Sequence, residues 1–164
     1  APAPPGNIVI SQVYGGGGNS NAPFTNDFIE LFNRSGAPVN LGGWSIQYGS
    51  ASGSTWQKTD LTGTIAPGQY FLIQQASGGM NGLPLPAPDV TGTITMAATS
   101  GKVALVNNTG LLSGACPLGP NTIDFVGFGN TANCFEGSGM APAPSGTASI
   151  LRVGQGCGDT NQTH

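Results

Sequence analysis

Asn26-Asp27-Phe28-Ile29-Glu30-Leu31-Phe32-Asn33 leads through the polar turn Asn33-Arg34-Ser35-Gly36 into Val39-Asn40-Leu41-Gly42-Gly43-Trp44-Ser45-Ile46. Phe28, Ile29, Leu31 and Phe32 make a β-rich run, and a second strand is expected around Trp44 and Ile46. Two strands carrying large aromatics are what the core of a small β-sandwich needs, because Phe and Trp bury the most area per residue.

Outward from this stretch, short apolar runs recur between turn residues. Ile8 to Tyr14 precedes it and ends at Gly15-Gly16-Gly17-Gly18. That glycine run would suit a phosphate only at the head of a helix, and Pro23 and a strand follow instead. Thr55-Trp56-Gln57, Leu61 to Ile65, Gln69 to Gln74, Val90 to Met96, Lys102 to Val106, Ile123 to Gly129 and Ser149 to Val153 are the later runs. The proline-dense segments 76–88 and 137–147 suit neither helix nor central strand. This pattern predicts an all-β antiparallel sandwich of about nine strands with no substantial helix.

The 164 residues suit one domain. Twenty-eight glycines and 13 prolines form a quarter of the chain, yet the regular apolar runs exclude a disordered reading. Only 7% of residues are charged, so the expected surface is neutral and rich in Ser, Thr, Asn and Gln, with little repulsion between copies. The net charge is −3, and Arg34, Lys58, Lys102 and Arg152 are scattered, which argues against direct nucleic-acid binding. No apolar run of about 18 residues is present, so no membrane-spanning helix is expected. The first residue is Ala, as removal of a signal peptide or trimming of a longer chain leaves, and a secreted or cell-surface location is expected.

The functional inventory is short. His164, the one histidine, sits at the last position and is poorly placed for a Ser-His-Asp or Cys-His arrangement. Three scattered cysteines give no zinc spacing. Cys116 and Cys134 flank one strand-like segment and are the expected disulfide, which leaves Cys157 as the odd one; the alternative is three buried thiols. Asp27, with Asn19 or Asn26, and Asp159, with Asn161, are weak calcium candidates. The competing and preferred reading gives Asp27 and Asp124 to the backbone of nearby turns. Glu30 alternates with Ile29 and Leu31, so it is expected at the surface, exposed or paired with Arg34 or Lys58. Trp56 and Tyr48 could offer a sugar-stacking platform, with a core position the preferred alternative. Asn33, Asn107 and Asn161 head N-glycosylation triplets. No catalytic residue and no cofactor are expected.

Several blocks carry a family resemblance. Ile8 to Asn19, Asn26 to Asn33, Leu41 to Tyr48, Ile65 to Ile73, Ser100 to Val106, Val126 to Gly129 and Ala132 to Gly137 occur in an order that resembles the bacterial lamin tail domain. The resemblance spans about residues 7–160 and implies an immunoglobulin-like sandwich there, preceded by a Pro-rich leader (1–6) and followed by a tail (161–164). In such domains the Gly-Cys-x-Asp-Thr motif, here Gly156 to Thr160, leads into a further Asp/Asn-rich stretch, whereas four residues follow it in this sequence.

The resemblance implies a non-catalytic module of secreted or surface proteins. Two functions follow as expectations. One is an extracellular structural protein assembling with copies of itself into a fibre or surface layer. In that case the leader lies across an open sheet edge of a neighbour, with Ile8, Val9 and Ile10 in the better donor segment. The other is an accessory module of a secreted nuclease or phosphatase that binds a glycan or cell-surface polymer.

Overall fold

The computed structural model describes residues 7–154 and 156–157. Among them are eleven strands and no helix. These are β1 (Ile8–Tyr14), β2 (Phe28–Asn33), β3 (Val39–Asn40), β4 (Ser45–Gly49), β5 (Trp56–Asp60), β6 (Thr64–Ile65), β7 (Tyr70–Gln74), β8 (Val90–Thr91), β9 (Gly101–Val106), β10 (Thr122–Phe128) and β11 (Ile150–Leu151). They form a five-stranded sheet in the order β11-β1-β2-β7-β8, a four-stranded sheet in the order β10-β9-β4-β5, and the small β3-β6 pair. The result is consistent with the β-sandwich that the alternation of apolar residues predicted and with the immunoglobulin-like form that the family resemblance implied.

The stretch Asn26 to Ile46 does not make a hairpin. Its two strands, β2 and β4, lie in different sheets and face each other across the core. Between them the chain pauses in β3, buries Leu41, and turns where the Trp44 N–H bonds the Leu41 carbonyl with Gly43 at φ 82°. Only glycine takes that backbone shape without strain. Ile29 and Leu31 of β2, Ile46 and Tyr48 of β4, Val103 and Leu105 of β9, and Phe71 and Ile73 of β7 meet in one apolar cluster.

Three details differ from the pattern in the sequence. The β7–β8 pair is parallel, so the larger sheet is mixed. The run Val90 to Met96 alternates as a strand does, but only Val90 and Thr91 pair with a neighbouring strand. Beyond them Ile94 and Met96 are buried, and side chains serve the backbone: Ile94 N–H donates to Gln75 Oε1 and Met96 N–H to Asp27 Oδ2. Trp44 lies just before β4 and is partly buried against the core, while Trp56 on β5 is the fully enclosed indole.

The four-stranded sheet is covered on both faces, which explains why every residue of β4 and β9 is buried. Its outer face holds a second cluster of Trp56, Ala104, Val106, Phe125 and Cys134, with Leu112 laid over it. The loop 107–121 that supplies the cover is sewn down by β4: Ser45 Oγ donates to the Asn108 carbonyl, and Gln47 bonds the Gly110 carbonyl and Leu112 N–H.

Candidate functional site

Lys102 is the least expected residue in the molecule. It sits on β9 with its side chain on the covered face of the four-stranded sheet, 0% exposed. Its Nζ donates to the Gly53 carbonyl at 2.7 Å, the Ala115 carbonyl at 2.8 Å and Asn133 Oδ1 at 2.8 Å, and lies 5.3 Å from the Trp56 ring centroid. Three acceptors and an aromatic face match the three donors of an ammonium group. Burial pushes its pKa down. Beside it Cys116 and Cys134 form the disulfide, Cα–Cα 5.0 Å. The amine and the disulfide thus fasten three loops, those of Gly53, Ala115 and Asn133, to one sheet face.

Trp56 and Tyr48 belong to this interior. The Trp56 indole N–H donates to the Gly114 carbonyl at 3.0 Å, and the Tyr48 hydroxyl accepts from Ala97 N–H at 3.0 Å. Neither ring offers a face to solvent, so the sugar-stacking expectation is corrected: cover from loop 107–121 and the core claims both.

Asp27 is 2% exposed, with Oδ1 accepting Gly17 N–H and Oδ2 accepting Met96 N–H, both at 2.9 Å. Each oxygen therefore faces a backbone donor, where a cation would be repelled. Asn26, expected as a co-ligand, donates instead to the Gln75 carbonyl. The calcium expectation fails at Asp27: the carboxylate serves backbone N–H groups, as the competing reading had it, but those of residues 10 and 69 positions away and not of a nearby turn. Burial raises its pKa to about 6 against the lowering effect of those two hydrogen bonds. Asp159 and Asn161 lie outside the described residues. Among the described residues no three His, Cys, Asp or Glu side chains gather.

Asn33, the first glycosylation candidate, is fully buried and donates from Nδ2 to the Ala37 and Ile65 carbonyls, both at 2.9 Å. An amide held in this way is no glycan acceptor. Asn107 is exposed at the start of loop 107–121. Glu30 accepts the Ser11 hydroxyl at 2.6 Å, and Lys58 pairs with Asp60 at 2.6 Å, so the expected Glu30–Lys58 pair does not form. Cys157 lies outside the disulfide, with its Sγ 3.2 Å from the Tyr70 hydroxyl. That contact pushes the Tyr70 pKa up to about 12.

The remaining site is the seam where β1, in one sheet, passes β10, in the other. Asp124 on β10 turns one oxygen across the seam: Oδ2 accepts Ile10 N–H at 2.6 Å and Arg152 Nη2 at 2.7 Å. Arg152 Nε donates to the Ile10 carbonyl at 3.0 Å. The outer edge of β1 is thereby capped at Ile10, while β11 pairs with it at Gln12 and Val13. This overturns Ile8, Val9 and Ile10 as a donor segment. All three are buried, paired in register with Asn33, Phe32 and Leu31 of β2, and removing them would open the core.

Past the capped portion no described residue fills the seam. The chain runs out along 142–145 and returns along 148–151, the two arms joined by the Ser145–Ala148 pairing. Between the arms lies a groove of about 230 Å³, lined by residues that include Pro142, Pro144, Ala148, Ile150 and Leu151. Its inner wall is β11, the two-residue edge of the five-stranded sheet, with Leu151 51% exposed.

The lamin tail domain family model matches residues 1–128. This chain belongs to the lamin tail domain family. The match ends with β10, so β11 and the groove arms lie beyond it. Lamin tail domains are non-enzymatic immunoglobulin-like units, and a binding or structural module is the class of function that membership supports. No curated protein matches the chain.

Proposed function

We propose that this lamin tail domain is a secreted, non-catalytic structural protein that assembles with copies of itself through a sheet edge. The observation that carries this reading is the seam. One part of the β1 edge is closed by the buried Asp124–Arg152 pair, whereas the adjoining β11 edge is two residues long, carries a half-exposed leucine and borders a groove that no described residue fills. Open sheet edges take up additional chain unless they are charged, twisted or covered. With 7% charged residues, the surface does little to hold copies apart.

The polar groups buried in the interior support the non-catalytic part. Lys102, Asp27, Asp124 and Gln47 are each engaged with backbone or side-chain partners that hold loops and sheets in place. The disulfide fits an oxidising compartment, and no described helix is long and apolar enough to cross a membrane.

The test is the mass of the native protein in solution by light scattering, with negative-stain images of the same sample. Regular assemblies are expected. A clean monomer of 16.4 kDa would overturn the reading and favour an accessory module that binds a glycan or cell-surface polymer.

A further inference from the structure

We infer that two copies join edge to edge through β5, antiparallel about Thr59, with Lys58 of each copy opposite Asp60 of the other. The inference rests on the self-assembly reading in that copies associate, and it places a contact at a second edge, apart from β11.

The first argument is backbone geometry. β5 is the last strand of the four-stranded sheet, paired with β4 from Ser45–Asp60 to Gly49–Trp56. The Leu61 N–H donates to the Trp44 carbonyl and continues that ladder beyond the strand. Hydrogen-bonded and non-bonded pairs alternate along an antiparallel ladder. Gln57 and Thr59 therefore turn their backbone groups toward β4, in step with Leu61, and Lys58 and Asp60 turn theirs away. Among the described residues no backbone group bonds Lys58 or Asp60 from that outer side. The start of the strand is different: the Gly114 N–H reaches the Ser54 carbonyl, and Ser113 bridges Thr55. The open part of the edge is thus Lys58 to Asp60.

The second argument is charge. A lysine on an edge strand ordinarily keeps a second strand away. Here Asp60 follows on the same sheet face, with Lys58 Nζ 2.6 Å from Asp60 Oδ1 and both side chains reaching solvent. Lys58-Thr59-Asp60 laid antiparallel to itself sets lysine opposite aspartate at both ends. The same register brings outward-facing backbone groups together, with Lys58 and the second copy's Asp60 as a hydrogen-bonded pair. A shift of two residues either way sets Lys58 against Lys58 or Asp60 against Asp60. A shift of one opposes outward groups to inward ones. Thr59, at the centre, is buried on the inner side, where it bonds Gln75, and does not obstruct the approach. The contact is isologous and joins the two four-stranded sheets into one.

Charge reversal tests this. Lys58→Glu makes both facing groups acidic, and Asp60→Lys makes both basic, so each variant alone opposes like charges. Mixed in equal amounts, the two variants regain opposite charges at both positions. Light scattering over a dilution series at low salt reads association, and amide exchange reads the Lys58 and Asp60 N–H groups in the same samples. Each variant alone is expected to associate about tenfold or more weakly, with both amides exchanging freely. The mixture is expected to recover mass and protection. Thermal melts matching the parent establish folding, as an exposed pair contributes little within one chain. Where a single variant melts early, the double reversal in one chain takes its place and should associate as the parent does; its failure to do so would overturn the register. If the parent associates and each single variant does so equally well, the inference is overturned while self-assembly stands. A mixture as weak as its components overturns it likewise. A parent that stops at a dimer and responds to charge reversal as expected retains the β5 pair, and the fibre reading falls. A parent that is monomeric throughout overturns both.

Discussion

The Asp124 carboxylate meets the Arg152 guanidinium at 2.7 Å in the seam between the two sheets, with both side chains almost wholly enclosed. The same Asp124 oxygen accepts the Ile10 N–H. One ion pair thus ties β10, β1 and the segment after β11 together. Arg152→Ala should cost about 3–5 kcal/mol, because it leaves a buried carboxylate without its cation. Denaturant unfolding reads this directly. A loss under about 1 kcal/mol would mean that water reaches Asp124 and that the pair is only a surface contact.

Lys102 should matter more than a lone lysine on a strand normally does. Lys102→Met retains much of the volume but strips three oxygen acceptors of their donor, and a loss of about 2–4 kcal/mol is expected. The loss should be accompanied by faster amide exchange in 107–116, since the Ala115 carbonyl is one of the acceptors. Unchanged exchange there would show that Gln47 and the disulfide hold the loop unaided.

The Cys116–Cys134 bridge closes a loop of 18 residues in sequence. Replacing both cysteines with serine should lower stability by about 3 kcal/mol on the chain-entropy account. Non-reducing peptide mapping should link these two residues, and a link through Cys157 would refute the pairing.

Asp27 gives stability an acidic bias. Its folded pKa of about 6 lies above the ordinary 3.8, so between those values the folded chain binds the extra proton. Stability from this group is therefore greatest near pH 4 and declines as pH rises through about 6. The comparison that isolates it is the parent against Asp27→Asn, which cannot ionise but loses an acceptor for one of the two N–H groups. The variant should lose less relative to the parent at about pH 7 than at about pH 4. The opposite trend would mean that Asp27 is favoured as a charged group.

Glycosylation offers a further check. Expressed in a host that modifies Asn-x-Ser/Thr, the folded protein should leave Asn33 bare, since its amide donates to two carbonyls in the interior. Peptide mass mapping reports this, and a glycan at Asn33 would mean that modification precedes folding of that turn.

The alternation of Ile8 to Tyr14, Phe28 to Asn33 and Tyr70 to Gln74, with Gly and Pro between, was sufficient to determine an all-β sandwich. Strand periodicity and turn chemistry are local properties of a chain. The cysteine pairing was also legible, since Cys116 and Cys134 flank a single segment. Tertiary structure alone decided which sheet each strand joins, and hence that β2 and β4 oppose each other rather than pair. It also decided the fate of the polar residues. Lys102 is buried because its acceptors arrive from residues 53, 115 and 133, and Asp124 reaches an N–H 114 positions away. Ile8 to Ile10 read as a donor segment in one dimension, yet in three they are a buried strand paired with β2, and among the described residues that side of the sheet ends at β11. The physical reason is common to all of these cases. Backbone conformation is set by neighbours in sequence, whereas the burial of a charge, or the opening of an edge, depends on which distant segments arrive to cover it.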